Sequence, residues 1–273
     1  MAARIHPTAI VDSSAQLGDG VVVGPGAVVE ADVTVGQGCE LMAGAVLHRF
    51  TALGARNVVH PHAVLGGVPQ DYKFDAGSTT YLRIGDDNVF RECVTLSRAT
   101  AAGGATVIGS RCYFMTLSHV GHDSVVSDGV VLTNGAAVAG HVEIGPGAIL
   151  SAYTVVHQFC WIGERVMTRG NSGASQHVPP FAMLKGINLA SGLNAVGLRR
   201  AKDITGEDRR QIKEAYRLVY RSSLPLAEAL AEMDVRDNWG APASRFREFI
   251  RRVVSARPPY DRGLITDRTG RRA

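Results

Sequence analysis

An aliphatic residue returns every six positions in this chain. From Ile5 it recurs at Val11, Leu17, Val23, Val29, Val35, Leu41, Leu47, Leu53, Val59 and Leu65, and it runs again from Ile108 to Ile162. An amphipathic helix repeats near 3.6 residues and a half-buried strand at 2. A period of six fits neither. Glycine turns fall between repeats, as in Gly18-Asp19-Gly20, Gly24-Pro25-Gly26 and Gly36-Gln37-Gly38. The pattern predicts a parallel β-helix in which three short strands close a coil of 18 residues and coils stack at about 4.8 Å. One aliphatic per repeat is expected in a narrow interior that admits only Val, Leu and Ile. A β-sandwich would need longer strands and less constant spacing.

The repeat is interrupted twice, by residues 66–83 and 98–106. The first stretch is polar and carries Tyr72, Phe74 and Tyr81; the second is small and flexible in composition. Long loops on a rigid scaffold are commonly functional. The repeat ends near Pro179-Pro180, and after residue 202 the pattern becomes helical. Thr205, followed by Glu207 and Asp208, is a helix N-cap signal. Residues 226–233 and 244–256 read as further helices. The chain thus divides into a β-helix over 1–198 and a helical domain over 199–273, with the helices expected to cover the open end and a mobile basic tail expected after Pro258-Pro259.

Charge follows the same division. Residues 1–198 hold 11 Lys+Arg against 14 Asp+Glu, and residues 199–273 hold 18 against 11. A basic C-terminal quarter suits an acidic partner. Cys39, Cys93, Cys112 and Cys160 have no C-x-x-C spacing, which argues against zinc or a disulfide framework and for four buried thiols. No apolar signal core and no run of about 18 apolar residues is present, so a cytoplasmic protein is expected.

Candidate chemistry lies between Leu117 and Gly145, which contains His119, His122 and His141. Asp123 follows His122 directly, and Asp123 and His141 are 18 residues apart. On adjacent coils they should stack, bringing two imidazoles and a carboxylate to one edge. A histidine whose tautomer is fixed by a carboxylate is a competent general base. Gly140 leaves its backbone N–H open, as an oxyanion donor requires. No Ser or Cys sits in a nucleophile elbow, so direct transfer is favoured over a covalent intermediate.

The hexapeptide repeat together with residues 68–73 (VPQDYK), 91–100 (RECVTLSRAT), 118–123 (SHVGHD), 139–142 (AGHV), 156–163 (VHQFCWIG), 178–183 (VPPFAM) and 197–201 (GLRRA) closely resembles the UDP-N-acetylglucosamine O-acyltransferases that begin lipid A synthesis. The resemblance implies a left-handed β-helix, against the usual right-handed crossover, and a homotrimer with sites between subunits. It implies transfer of a 3-hydroxyacyl chain from acyl carrier protein to the sugar 3-position, without cofactor or metal, nucleic acid or stable membrane insertion. His122 resembles the base, Asp123 its orienting partner and Gly140 the oxyanion donor. Gln70, Asp71, Lys73, His119, His141, His157, Gln158, Asn194 and Arg200 resemble substrate contacts, and Gly170 matches an acyl-length ruler with Arg169 beside it. The basic C-terminal quarter would meet the acidic carrier protein.

Ser97 stands where the family usually has a histidine near the acceptor, which raises an alternative, a 3-amino sugar nucleotide giving an amide product. Rival readings are a hexapeptide acetyltransferase using acetyl-coenzyme A and a γ-carbonic-anhydrase-like metalloenzyme using His119, His122 and His141. The immediate His122-Asp123 pair and the long helical tail argue against the second.

Overall fold

The structure is a computed structural model that describes residues 2–236 and 238–267. Strands of two to five residues alternate with turns from Arg4–Ile5 to Leu189–Leu193. As far as Gly173–Ala174 the pairing is not between neighbours in sequence but between strands three apart. Arg4–Ile5 pairs in parallel with Val22–Val23, Ile10–Val11 with Val28–Val29, and Gln16–Leu17 with Thr34–Val35. Three sheets result, here sheets 1, 2 and 3 in the order the chain meets them. The chain is a left-handed parallel β-helix followed by helices.

Beyond the open first coil, where Ile5 is exposed and Val11 and Leu17 are half-buried, the repeat residues point inward and are almost completely buried, among them Val23, Val59, Leu132 and Leu150. Each contributes about 1.5–3 kcal/mol by leaving water. The interior differs from expectation in two ways. Phe90 and Phe114 are fully buried on sheet 1, stacked on adjacent coils with centroids 5.0 Å apart, so it admits more than Val, Leu and Ile. A second residue of each repeat also faces in, two positions before the aliphatic. It is often alanine, as at Ala27, Ala45, Ala63, Ala136 and Ala148, and elsewhere valine, as at Val21, Val33 and Val130, because it fills the narrow corner. Where that position is asparagine, at Asn57 and Asn88, its groups are paired. Asn57 donates to Gly54 and Gly85 carbonyls, and its Oδ1 accepts from the Asn88 amide at 2.9 Å.

Three residues after most inward residues the backbone turns through a left-handed conformation, at glycine or at residues such as Asp32, His62, Asp123, His141 and Phe159. Both interruptions leave the coil and return in phase. Val59 on one side of the first loop pairs with Phe90 on the other, and Phe90 pairs across the second with Phe114.

The helices are α1 (Ala195–Arg200), α2 (Gly206–Tyr220), α3 (Leu226–Asp234) and α4 (Ala241–Val254). Thr205 caps α2 in a reciprocal capping box with Asp208. Helices α2 to α4 bury one another's apolar faces through Ile212, Val219, Met233, Phe246 and Ile250. They are fastened to the flank of sheet 3, where Arg245 bonds Glu164 at 2.8 and 2.9 Å and the Arg252 guanidinium lies 3.7 Å over Trp161.

Three expectations need correction. Beyond its last coils sheet 1 is extended by Leu189–Leu193, antiparallel, and by Thr266–Asp267, rather than by helices. The segment after Pro259 is therefore built into the fold as far as Asp267, with Leu264 and Ile265 buried; residues 268–273 of the expected mobile tail lie outside the described residues. Of the four thiols, Cys93 is exposed because it occupies a left-handed turn position, while Cys39, Cys112 and Cys160 are buried corner residues. Burial raises the Cys112 and Cys160 pKa values to about 11, so these three act as packing rather than as nucleophiles.

Candidate active site

The corner from sheet 2 to sheet 3 gathers the chemistry. Its left-handed position is filled on three successive coils by Asp123, His141 and Phe159, with φ of 58°, 59° and 63°. Asp and His tolerate this conformation better than most residues. Phe159 is held there by ring contacts, stacked on His141 at 4.8 Å and edge-on to Tyr260 at 5.4 Å.

His122 precedes the turn residue and is 4% exposed. Its Nδ1 lies 2.8 Å from Asp123 Oδ2, and His141 Nε2 lies 3.6 Å from the same oxygen. The carboxylate is acceptor-only, so His122 donates from Nδ1 and its Nε2 carries the free lone pair. Asp123 also accepts from the Thr100 amide at 3.1 and 3.2 Å and from the Thr100 hydroxyl at 2.7 Å. Its own amide donates to Thr106 Oγ1 at 2.8 Å. Burial pushes the Asp123 pKa up, but the bonds from His122 and Thr100 outweigh it and bring the value to about 2. Burial lowers the pKa of His141 against the pull of Asp123 and, more distantly, Asp71. Burial likewise lowers that of His119, whose Nδ1 is 2.8 Å from Thr95 Oγ1.

Gly140 sits against the His122 ring. A Cβ built there would lie 2.5 Å from Cε1 and 2.6 Å from Nε2, so any side chain would displace the imidazole. Its N–H donates to no backbone carbonyl among the described residues. A cleft of about 320 Å³ opens here, and it brings together His122, Gly140, His119, Ser97, Gln70 and Gln158. A second cleft of about 470 Å³, more apolar, continues along sheet 2 and shares Val155 and Val156 with the first; His157 lines it.

Other expected residues lie elsewhere in the single chain. Asp71 and Lys73 are on the loop beside Gln70, with the Asp71 carboxylate turned back to the Lys73 amide at 2.8 Å. Asn194 caps α1, accepting from Gly197 and donating to the Arg165 carbonyl at 3.0 Å. Arg200 is exposed in the last turn of α1. Gly170 is exposed and lines neither cleft. His157 is approached by Arg262 from the C-terminal segment. Sequence reasoning missed Thr100 and Arg262, which meet the site from a loop and from the C-terminal segment, and Thr95 and Thr106, polar residues on the strands Thr95–Ser97 and Ala105–Ile108 that the aliphatic pattern does not single out.

Ligand atoms of His122, Asp123 and His141 lie within 4.8 Å of one another, close enough to hold a metal ion. A cation between them would compete with the hydrogen bond that orients His122.

A family model described as Udp N-acetylglucosamine O-acyltransferase, Domain 2, matches residues 177–265. A relative in Anaeromyxobacter sp., named acyl-[acyl-carrier-protein]–UDP-N-acetylglucosamine O-acyltransferase, is 45% identical over 90% of this chain and 96% of its own. One of the same name in Janthinobacterium sp. is 41% identical over 96% and 98%. Among solved structures, the UDP-N-acetylglucosamine O-acyltransferase of Moraxella catarrhalis superposes with a TM-score of 0.86 at 38% identity, covering 90% of this chain and 96% of that one. The Francisella novicida UDP-N-acetylglucosamine acyltransferase gives 0.88 at 32% identity, covering 97% and 94%. The chain belongs to the acyl-[acyl-carrier-protein]–UDP-N-acetylglucosamine O-acyltransferase family.

Proposed function

We propose that this chain moves a 3-hydroxyacyl group from acyl carrier protein to the 3-hydroxyl of UDP-N-acetylglucosamine, the first step of lipid A biosynthesis. The observation that carries the reading is the His122-Asp123 pair facing Gly140 across a cleft, in a chain of this family. The relatives are named for O-acyl transfer, so an amide product from a 3-amino acceptor is not favoured.

The mechanism follows from the donors and acceptors present. His122 Nε2 takes the proton of the acceptor hydroxyl as its oxygen attacks the thioester carbonyl. The carbonyl oxygen becomes an oxyanion, and the Gly140 N–H donates to it. Asp123 holds the imidazole by Nδ1 and stabilises its charge as the proton arrives. The intermediate collapses, the C–S bond breaks, and the departing thiolate of the carrier recovers the proton from His122. Ser97, His119, Gln70 and Gln158 surround the acceptor sugar. The apolar cleft along Val155 and Val156 takes the acyl chain. Asn171 lines that cleft, while its neighbour Gly170, the position that resembles the length ruler, does not reach it in the single chain.

Asp71, Lys73, Asn194 and Arg200 lie outside the cleft of a single chain, which supports a homotrimer whose neighbouring subunits complete each site. The basic helices receive the acidic carrier protein. No helix among the described residues is long and apolar enough to cross a membrane, and a cytoplasmic site of action belongs to the same proposal.

Purified protein is tested with 3-hydroxyacyl carrier proteins of several chain lengths and UDP-N-acetylglucosamine. Transfer should occur and should fall at least ~100-fold in His122→Ala, the contribution of a general base. No transfer from any of these donors would sink the reading.

A further inference from the structure

Arg98 is a buried arginine, 6% exposed, whose side chain forms no ion pair among the described residues. Its Nε donates to Thr80 Oγ1 at 3.1 Å, and its guanidinium lies 5.5 Å from the Phe74 ring and 5.8 Å from Phe50. Burial and the nearby Arg49 work against its charge and only the more distant Glu30 favours it; a buried cation that forms no ion pair is costly and is retained where its other contacts compensate.

Phe50 reaches the guanidinium from the preceding coil, while Thr80 and Phe74 both belong to the loop between Gly67 and Tyr81 that carries Gln70, Asp71 and Lys73. Its start is fixed opposite Ser97, where Gly67 pairs after a register shift and accepts from the Arg98 amide at 3.0 Å. Gly66 makes that shift possible: its φ is +82°, and a Cβ there would lie 2.0 Å from Thr51 Oγ1. The loop's end is fixed by Thr80 on the Arg98 side chain and by Tyr81, whose carbonyl accepts from the Ala99 amide at 3.2 Å. Its middle is fixed by Phe74 over the guanidinium. Residues 97 to 100 therefore form one continuous support. Ser97 lines the cleft, Arg98 and Ala99 hold both ends of the loop, and Thr100 holds Asp123.

We propose that Arg98 is a positioning residue that clamps the loop over the cleft and so sets the affinity for the acceptor nucleotide sugar. This rests on the acyl-transfer reading only for its kinetic half. The side chain does not touch the reacting atoms. It fixes Gln70 at the cleft by gripping the base and apex of the loop that bears it.

Arg98→Met keeps the length and apolar contacts and removes the charge and donors. Phe74→Ala removes the apex contact from the half-exposed side and leaves Arg98 in place, which covers a failure of the first variant to fold. Two readouts are taken on the full-length protein. Tryptic cleavage after the exposed Lys73 reports loop order without any need for activity, and steady-state kinetics separate KM from kcat. Both variants should be cleaved at Lys73 at least ~10-fold faster than the parent. The KM for UDP-N-acetylglucosamine should rise by a similar factor, with kcat and the KM for the acyl donor within about threefold. Combining the two substitutions should add little to either alone. Unchanged cleavage in both variants overturns the clamp. Faster cleavage with an unchanged acceptor KM overturns its link to affinity. A parent protein that transfers no acyl group would defeat the acyl-transfer reading instead, and the cleavage assay would still decide the clamp.

Discussion

Thr100 gives both its amide and its hydroxyl to the Asp123 carboxylate, the hydroxyl at 2.7 Å. The carboxylate that orients the base is thus held from an interruption of the repeat, not from the repeat. Thr100→Val keeps the shape and the amide bond and deletes the hydroxyl. A hydrogen bond to a charged group contributes about 1.5–3 kcal/mol. We expect kcat to fall about tenfold or more, with KM for both substrates little changed, in steady-state assays. An unchanged kcat would show that the amide alone suffices.

Asp123→Asn should lower kcat about 10³-fold, because an amide can stabilise the wrong tautomer of His122 and cannot balance the imidazolium. The same variant tests the charge. The folded pKa of Asp123 is about 2, below the ordinary 3.8, so its contribution to stability is complete above pH 3.8 and disappears as the pH falls through about 2. The gap in melting temperature between parent and variant should hold from pH 8 to 4 and close only below that. A gap that closed near pH 6 would contradict the assignment.

Gly140→Ala places a carbon where the His122 ring now lies, 2.5 Å from Cε1. The ring must turn, and its bond to Asp123 must lengthen. Loss of an aligned base, with the backbone N–H retained, predicts a fall in kcat of about 10²–10³. The global fold should survive, because the contact is local and Gly140 needs no left-handed backbone. Circular dichroism and kcat measured together check both halves.

His177 predicts the acid limb of stability. It is fully buried, its Nδ1 accepts from the Trp161 amide at 3.0 Å, and its Nε2 donates to the Tyr260 carbonyl at 2.7 Å. Burial, with Arg252 and Arg262 nearby, lowers its pKa from 6.5 to about 4, against the Tyr260 carbonyl and Glu143. The unfolded chain therefore binds a proton between pH 6.5 and 4 that the folded chain refuses, and stability falls as pH drops through that window. The loss is about 3 kcal/mol. His177→Gln should flatten the slope of melting temperature between those pH values; an equal slope in both proteins would assign it to other groups.

The spacing of Asp123 and His141 was enough to place them on one corner, because an 18-residue step preserves both the face and the turn position. A local N-cap signal placed the Thr205 cap, and the six-residue period placed the strands in the same way. It failed where a contact is not periodic. Thr100 reaches Asp123 from a loop whose composition reads as featureless. Asn194 reads as a substrate contact by resemblance, but within one chain its side chain is engaged in capping α1. Phe90 and Phe114 keep the period and break only the expectation about size, since two stacked rings share one wide segment of the interior. Ile265 and Asp267 belong to a stretch whose charge suggests a loose tail, yet a two-residue strand and a buried isoleucine tie it down.

The left-handed turn position makes the corner a column of equivalent sockets, one per coil. What a socket holds is decided by phase alone. An insertion of a few residues that failed to loop out would carry Asp123 off its corner and every later residue with it, silencing the site while leaving most of the hydrophobic pattern readable. An added full coil between Asp123 and His141 would keep both on the corner and part them by another rung. The two natural loops obey this arithmetic, each returning the strand to register. Lineages related to this chain can therefore change substrate most safely by exchanging what fills a socket, and can lengthen or shorten the column only in whole turns.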